Sequence, residues 1–173
     1  MILIEPTIEY AEQIRQYRNE LLEHNSSLDG TGSFTRYEDP ADWIAKVNIL
    51  KDPDTVPEGY VPAAQYIFIR EEDRRMVGMI QIRHYLNEYL GKYGGHIGYS
   101  VAPTERRKGY ASQMLAMAIP ECRELGIKKL LITCTPDNEG SRRTILRNGG
   151  VYESTLYSPD EDIYLERYWI DTE

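Results

Sequence analysis

Cysteine is scarce in this sequence: Cys122 and Cys134 are the only two in 173 residues. Their spacing does not suit a metal site, and neither shows the pattern of a redox dithiol, so both are expected as small buried apolar side chains. No stretch approaches the roughly 20 apolar residues of a membrane span, which argues against a membrane partner. The opening MILIEPTIEYAEQ has neither the basic start nor the long apolar core of a secretory signal, and a cytoplasmic location is expected. Positive charge is in the minority, with 20 Lys plus Arg against 28 Asp plus Glu and a net charge of -8. A nucleic-acid partner, which demands a broad basic face, is therefore not expected, and any basic site must be local. Internal repeats, low-complexity tracts and Pro/Ser-rich linkers are missing too, so residues 1–173 read as one domain.

What remains is the composition of an ordinary globular protein, 41% hydrophobic and 28% charged. A domain of this length buries about two-thirds of the surface its unfolded chain would expose, and it needs no covalent staples. MILIE begins like a buried strand. After Pro6 and Thr7, Ile8, Ala11, Ile14, Tyr17, Leu21 and Leu22 recur at helical spacing. Residues 25 to 40 are turn-rich, and Trp43, Ile44, Val47 and Leu50 mark a second helix over 40 to 50.

The period then changes. AAQYIFIR (63 to 70) and MVGMIQIR (76 to 83) predict an antiparallel hairpin, and HIGYSV (96 to 101) a further strand. Ala111, Met114, Leu115, Ala118 and Ile119 set a helix over 108 to 125, which Pro120 is expected to kink or end early. KKLLITC (128 to 134) is a buried strand, 138 to 148 a short helix stopped by Gly149-Gly150, and VYESTLY with DIYLERYWI a closing hairpin. The fold class is α/β (α+β), with helices flanking one central sheet.

The stretch VAPTERRKGYA (101 to 111) gathers three cations in an acidic chain. A strand, a short loop and a glycine in the first helical turn point several unpaired backbone N–H groups at one spot, which attracts phosphate. Gly109 lets a ligand approach the main chain, Ala111 keeps the next turn slim, and Arg106, Arg107 and Lys108 surround the rim. The spacing is neither that of a Walker loop nor a dinucleotide fingerprint.

HIGYSVAPTERRKGYASQML resembles the acetyl-CoA-binding segment of the GNAT N-acetyltransferases: a strand, Val-x-Pro, then Arg/Gln-x-x-Gly-x-Gly/Ala. The strand LLITC followed by Asn138 and Ser141 is similar to the same family's second motif. The likeness covers about residues 63 to 157. It implies a mixed, mostly antiparallel sheet splayed between the fourth and fifth strands, with acetyl-CoA as cosubstrate, no metal, and the pantetheine arm lying in the splay. By the resemblance, the backbone of Val101 would pair with that arm, and the N–H groups of Arg106, Arg107, Lys108, Gly109, Tyr110 and Ala111 would cradle the pyrophosphate. Asn138 would contact the arm, Ser141 would sit near the thioester, and Lys108 or Arg107 could reach the 3'-phosphate.

Transfer to an amine poses two proton tasks, because the acceptor must be neutral and the leaving thiolate must be stabilised. The family often has a Glu where this chain has His96, which becomes the expected catalytic base. Its usual acid, a Tyr seven residues after the Asn, is replaced by Ile145. Tyr99, Tyr152 or water are left as sources of the hydroxyl. The expected activity is acetyl transfer to a primary amine of a small molecule, peptide or protein. Two rivals stay open: a non-catalytic CoA-binding module, and a binder of some other phosphorylated metabolite. A homodimer is possible. Phe34 and Trp43 are expected to shape the acceptor side, with Glu38, Asp39 and Asp42 steering a cation toward it.

Overall fold

In a computed structural model, which describes residues 1–173 except for the side chain of Thr35, the chain runs as seven strands and four α-helices. They are β1 (Ile2–Ile4), α1 (Ala11–Glu23), α2 (Pro40–Lys51), β2 (Ala63–Arg70), β3 (Arg75–Arg83), β4 (Ile97–Val101), α3 (Tyr110–Glu124), β5 (Lys129–Cys134), α4 (Glu139–Arg147), β6 (Val151–Ser158) and β7 (Ile163–Asp171). None of the helices is long and apolar enough to cross a membrane, among the described residues.

The strands form two antiparallel sheets, β1-β2-β3-β4 and β5-β7-β6. Apolar runs in β2 and β3 are continuous because both faces are covered. One face sends Phe68, Ile80 and Ile82 into a core with Met114, Leu115 and Ala118 of α3. The other sends Ile67, Ile69 and Met79 against Ile14, Tyr17 and Leu21 of α1 and Trp43 and Val47 of α2. Each such side chain contributes about 1.5–3 kcal/mol when fully buried. The layers are thus α1 and α2, sheet, α3 and α4.

The expected single sheet is divided between β4 and β5, at the place where the splay was expected. Contact survives just before β4 begins, where the His96 N–H donates to the Leu131 carbonyl at 2.8 Å and the Leu131 N–H donates to His96 Nδ1 at 3.0 Å. From there the strands carry no common ladder. On its paired side, the Ala102 N–H donates to the Val77 carbonyl and the Arg83 N–H to the His96 carbonyl. By antiparallel alternation the main-chain groups of Ile97, Tyr99 and Val101 face away from β3, into the gap.

Three local expectations change. Pro120 does not end α3, which continues to Glu124, because Pro120 and Ala116 both lie on the exposed face, where water can satisfy the freed carbonyl. Ile8 is exposed in a 3-10 turn ahead of α1 instead of joining its apolar stripe. A π-helical turn over Leu90–Gly94 lies in the connection between β3 and β4, where no regular element was expected.

Candidate active site

The gap between β4 and β5 opens onto the loop that leads into α3. Pro103–Glu105 form a 3-10 turn, Arg107 takes a left-handed conformation at φ 65°, and Gly109 another at φ 82°. α3 therefore begins without a side-chain cap. Among the described residues, the backbone N–H groups of residues 107 to 112 have no protein acceptor. A helix start that leaves a continuous run of donors open to solvent fits an oxyanion-rich group. A Cβ on Gly109 would meet nothing closer than Gln113 Nε2 at 3.9 Å, so the glycine serves conformation and ligand approach, not packing.

The three cations beside it divide their work. Arg106 turns inward, its Nε donating to the Val101 carbonyl at 3.1 Å and its other end meeting Ser26 Oγ. Lys108 donates to Glu105 at 2.8 Å. Arg107 has no ion pair or side-chain hydrogen bond among the described residues, so it is the cation available to an outside phosphate. Glu105 was missed by sequence reasoning. Its carboxylate is buried and also bonded to Arg70 at 2.9 Å and Arg75 at 3.0 Å. The hydrogen bond from Lys108 leads the causes that hold its carboxyl below the usual range. Tyr110 points its ring inward, its hydroxyl accepting from Arg70 at 3.0 Å, and Ala111 packs on the core, so both offer the gap only their backbone.

Across the gap, Asn138 caps α4 by accepting the Ser141 N–H at 3.0 Å, which leaves its amide nitrogen for a ligand. Ser141 Oγ and the Tyr99 hydroxyl share a hydrogen bond of 2.8 Å that bridges α4 and β4. Burial pushes the Tyr99 phenol well above its ordinary range, so it remains protonated at neutral pH. Cys134, also close to Ser141, is pushed up to about 11 by burial and Cys122 to about 12, so neither is a thiolate. Tyr152 lies half-exposed and bonded to Thr155 at 2.9 Å, with no hydrogen bond to Tyr99 or Ser141 among the described residues. Ile145 is fully buried core.

His96 does not fit the role of base. Its Nδ1 lone pair is taken by the Leu131 N–H, and burial pulls its pKa down to about 4, with a smaller push from Arg83. It is a neutral side chain that stands in for a strand residue where the two sheets meet.

Beside β4 lies a cavity of about 380 Å³, lined by residues 28 to 33 and, among others, Gln81, Arg83 and Tyr89. Its wall is fixed by a close approach of backbone to backbone: Gly30, at φ 72°, could carry no Cβ, which would fall 2.3 Å from the Gly98 carbonyl oxygen. Phe34 and Trp43 do not line it. They stack at 4.5 Å in the core, and Trp43 shapes the cavity only by donating its indole N–H to the Thr31 carbonyl at 2.8 Å. Nor do Glu38, Asp39 and Asp42 reach it: they are exposed, and Asp39 caps α2 by accepting the Ala41 N–H at 2.9 Å. The carboxylate on the cavity is Asp29.

A search of curated protein sequences finds no match. Among solved structures, the chain is similar to a ribosomal-protein-S5-alanine acetyltransferase from Vibrio fischeri, with a TM-score of 0.73 and 15% identity over 99% of this chain and 92% of the other. It is also similar to Mycobacterium smegmatis RimJ in complex with CoA-disulfide, with a TM-score of 0.70 and 18% identity over 98% and 80%. A third likeness is yncA from Salmonella typhimurium, a putative acetyltransferase with its cofactor acetyl-CoA, at a TM-score of 0.64 and 13% identity over 99% and 94%. At such identities these structures speak for the fold. The sequence profile of the Acetyltransferase (GNAT) family matches residues 11–149. The structure pairs an α/β layer arrangement opened between β4 and β5 with an uncapped, glycine-led helix at the opening, and by the match over most of its length the chain belongs to the GNAT acetyltransferase family.

Proposed function

We propose that the protein moves the acetyl group of acetyl-CoA directly to a primary amine, using the gap between β4 and β5 as its cofactor site. The observation that carries this is the run of open N–H donors from residue 107 to residue 112, which suits a pyrophosphate and has no structural use in the protein alone. Bound acetyl-CoA supplies the acyl group as a thioester. Arg107 to Ala111 then hold its phosphates through the backbone, with Arg107 as the side chain free to add charge. Arg106, expected in the cradle, stands outside it: its N–H donates to the Pro103 carbonyl at 3.4 Å and its guanidinium is engaged by the Val101 carbonyl and Ser26. The outward main-chain groups of β4, Val101 among them, and the free amide of Asn138 orient the arm.

Tyr99 takes the place that Ile145 leaves empty. Held by Ser141, its protonated hydroxyl is positioned to donate a hydrogen bond to a leaving thiolate. Deprotonation of the acceptor ammonium falls to water or to the acceptor cavity, not to His96, whose lone pair is occupied. The test is thiol release from acetyl-CoA with and without a panel of amines, each product identified by its mass. Amine-dependent release with an N-acetylated product supports the reading. Tight CoA binding with no amine-dependent release would reduce the protein to a binding module.

A further inference from the structure

We propose that the acceptor is an amino acid, its carboxylate read by Arg83 and its ammonium held at Asp29. This rests on the reading of the β4–β5 gap as an acetyl-transfer site and goes on to name what enters from the other side. Arg83 ends β3 and lines the cavity beside β4. Its Nη1 donates to the carbonyls of Gly94 and Gly95 at 2.9 and 3.0 Å, which fixes the plane of the guanidinium. Among the described residues no carboxylate lies within ion-pair distance, and Nε and Nη2 have no protein partner. A half-buried guanidinium, oriented by carbonyls and short of an anion, is costly to keep unless something compensates it. Its free edge matches the two oxygens of a carboxylate in a planar, bidentate fashion. Burial already pulls its pKa down, and the charge of Asp29 offsets this only in part.

Asp29 supplies the opposite sign on the same cavity without closing on Arg83. Its carboxylate is held by Ser27 Oγ, and its charge is felt by both Arg83 and Tyr99. Asp29 lies beside the strand that carries Tyr99, because Gly30, its neighbour in sequence, is packed directly on Gly98 of that strand. Opposite charges on one cavity favour a molecule that bears both groups. A cavity of about 380 Å³ is at the small end of ligand sites, suited to a single amino acid more than to a folded chain terminus.

The test uses amino acids paired with their amides and their decarboxylated amines, measured by calorimetric binding and by initial rates at saturating acetyl-CoA. The parent should favour the acid over both relatives by at least about tenfold in kcat/KM, a difference of about 1.4 kcal/mol. Arg83→Gln should erase that preference by raising KM for the acid, leaving KM for the decarboxylated amine and the affinity for acetyl-CoA unchanged, and Arg83→Lys should keep part of it. Asp29→Asn, which touches none of the carbonyls that Arg83 ties, should weaken acid and amine alike. Equal turnover of acid and amide, a parental preference in Arg83→Gln, or a preference for peptides would overturn the proposal. If amino acids bind in an Arg83-dependent way yet no amine is acetylated, the inference about the cavity stands and the acetyl-transfer reading fails.

Discussion

Replacing His96 by Asn separates a structural His96 from a catalytic one. Asn Oδ1 can take the place of Nδ1 as acceptor for the Leu131 N–H, but it does not titrate. In the parent, burial holds the folded-state pKa near 4, while the unfolded chain should show the ordinary value of about 6.5. Between these values the unfolded state binds more protons, so stability rises with pH in that window. The contribution is fully present above about pH 6.5 and is lost as pH falls toward about 4. At 1.36 kcal/mol per unit the whole shift is worth about 3 kcal/mol, of which about 2 kcal/mol disappears between about pH 7 and pH 5. Urea unfolding followed by tyrosine fluorescence at a series of pH values should therefore show the parent losing about 2 kcal/mol more than His96→Asn over that range. His84, also pushed down by burial, is common to both proteins and cancels in the difference. Acetyl transfer by the variant should keep its rate within a few fold and its pH profile unchanged. If His96→Asn instead flattens the alkaline rise of the rate by about 100-fold while its stability follows the parent's pH dependence, the residue is the base and the reasoning from Leu131 is wrong.

Gly109→Glu places bulk and negative charge in front of the open donors and should abolish acetyl-CoA binding by calorimetry, with a loss of stability of about 1–2 kcal/mol from a side chain at a left-handed backbone, too small to unfold the protein. Tyr99→Phe should lower kcat by roughly 100-fold with KM for acetyl-CoA nearly intact, since only the hydroxyl aimed at Ser141 is lost. Glu105→Gln removes the charge shared by Arg70, Arg75 and Lys108. Chemical denaturation should show a loss of about 1–3 kcal/mol.

The periodic segments were the legible part of the fold. The β2–β3 hairpin, α2 and the closing hairpin fall almost where their apolar spacing put them, because each buries a face that its own residues define. The helix start proposed as the cofactor cradle could be located because it combines a strand end, a glycine and the first helical turn within a dozen residues. What escaped was decided by partners far along the chain. Glu105 looked like one acid among bases until Arg70 and Arg75 arrived from the β2–β3 hairpin, and His96 looked like a base until Leu131 claimed its lone pair. Arg83 and Asp29 stand 54 positions apart and share a cavity that no local pattern announces. Of the two outcomes expected at Pro120, the early end did not occur, because the helix can continue where the freed carbonyl faces water.

The cradle is tested most directly by following backbone amide shifts in ¹⁵N-labelled protein as CoA is added. The largest changes should fall on residues 107 to 112, with a second group on β4 and at the start of α4, and they should vanish in Gly109→Glu. A shift map centred elsewhere, or one that Gly109→Glu leaves intact, would contradict the assignment of the β4–β5 gap as the cofactor site.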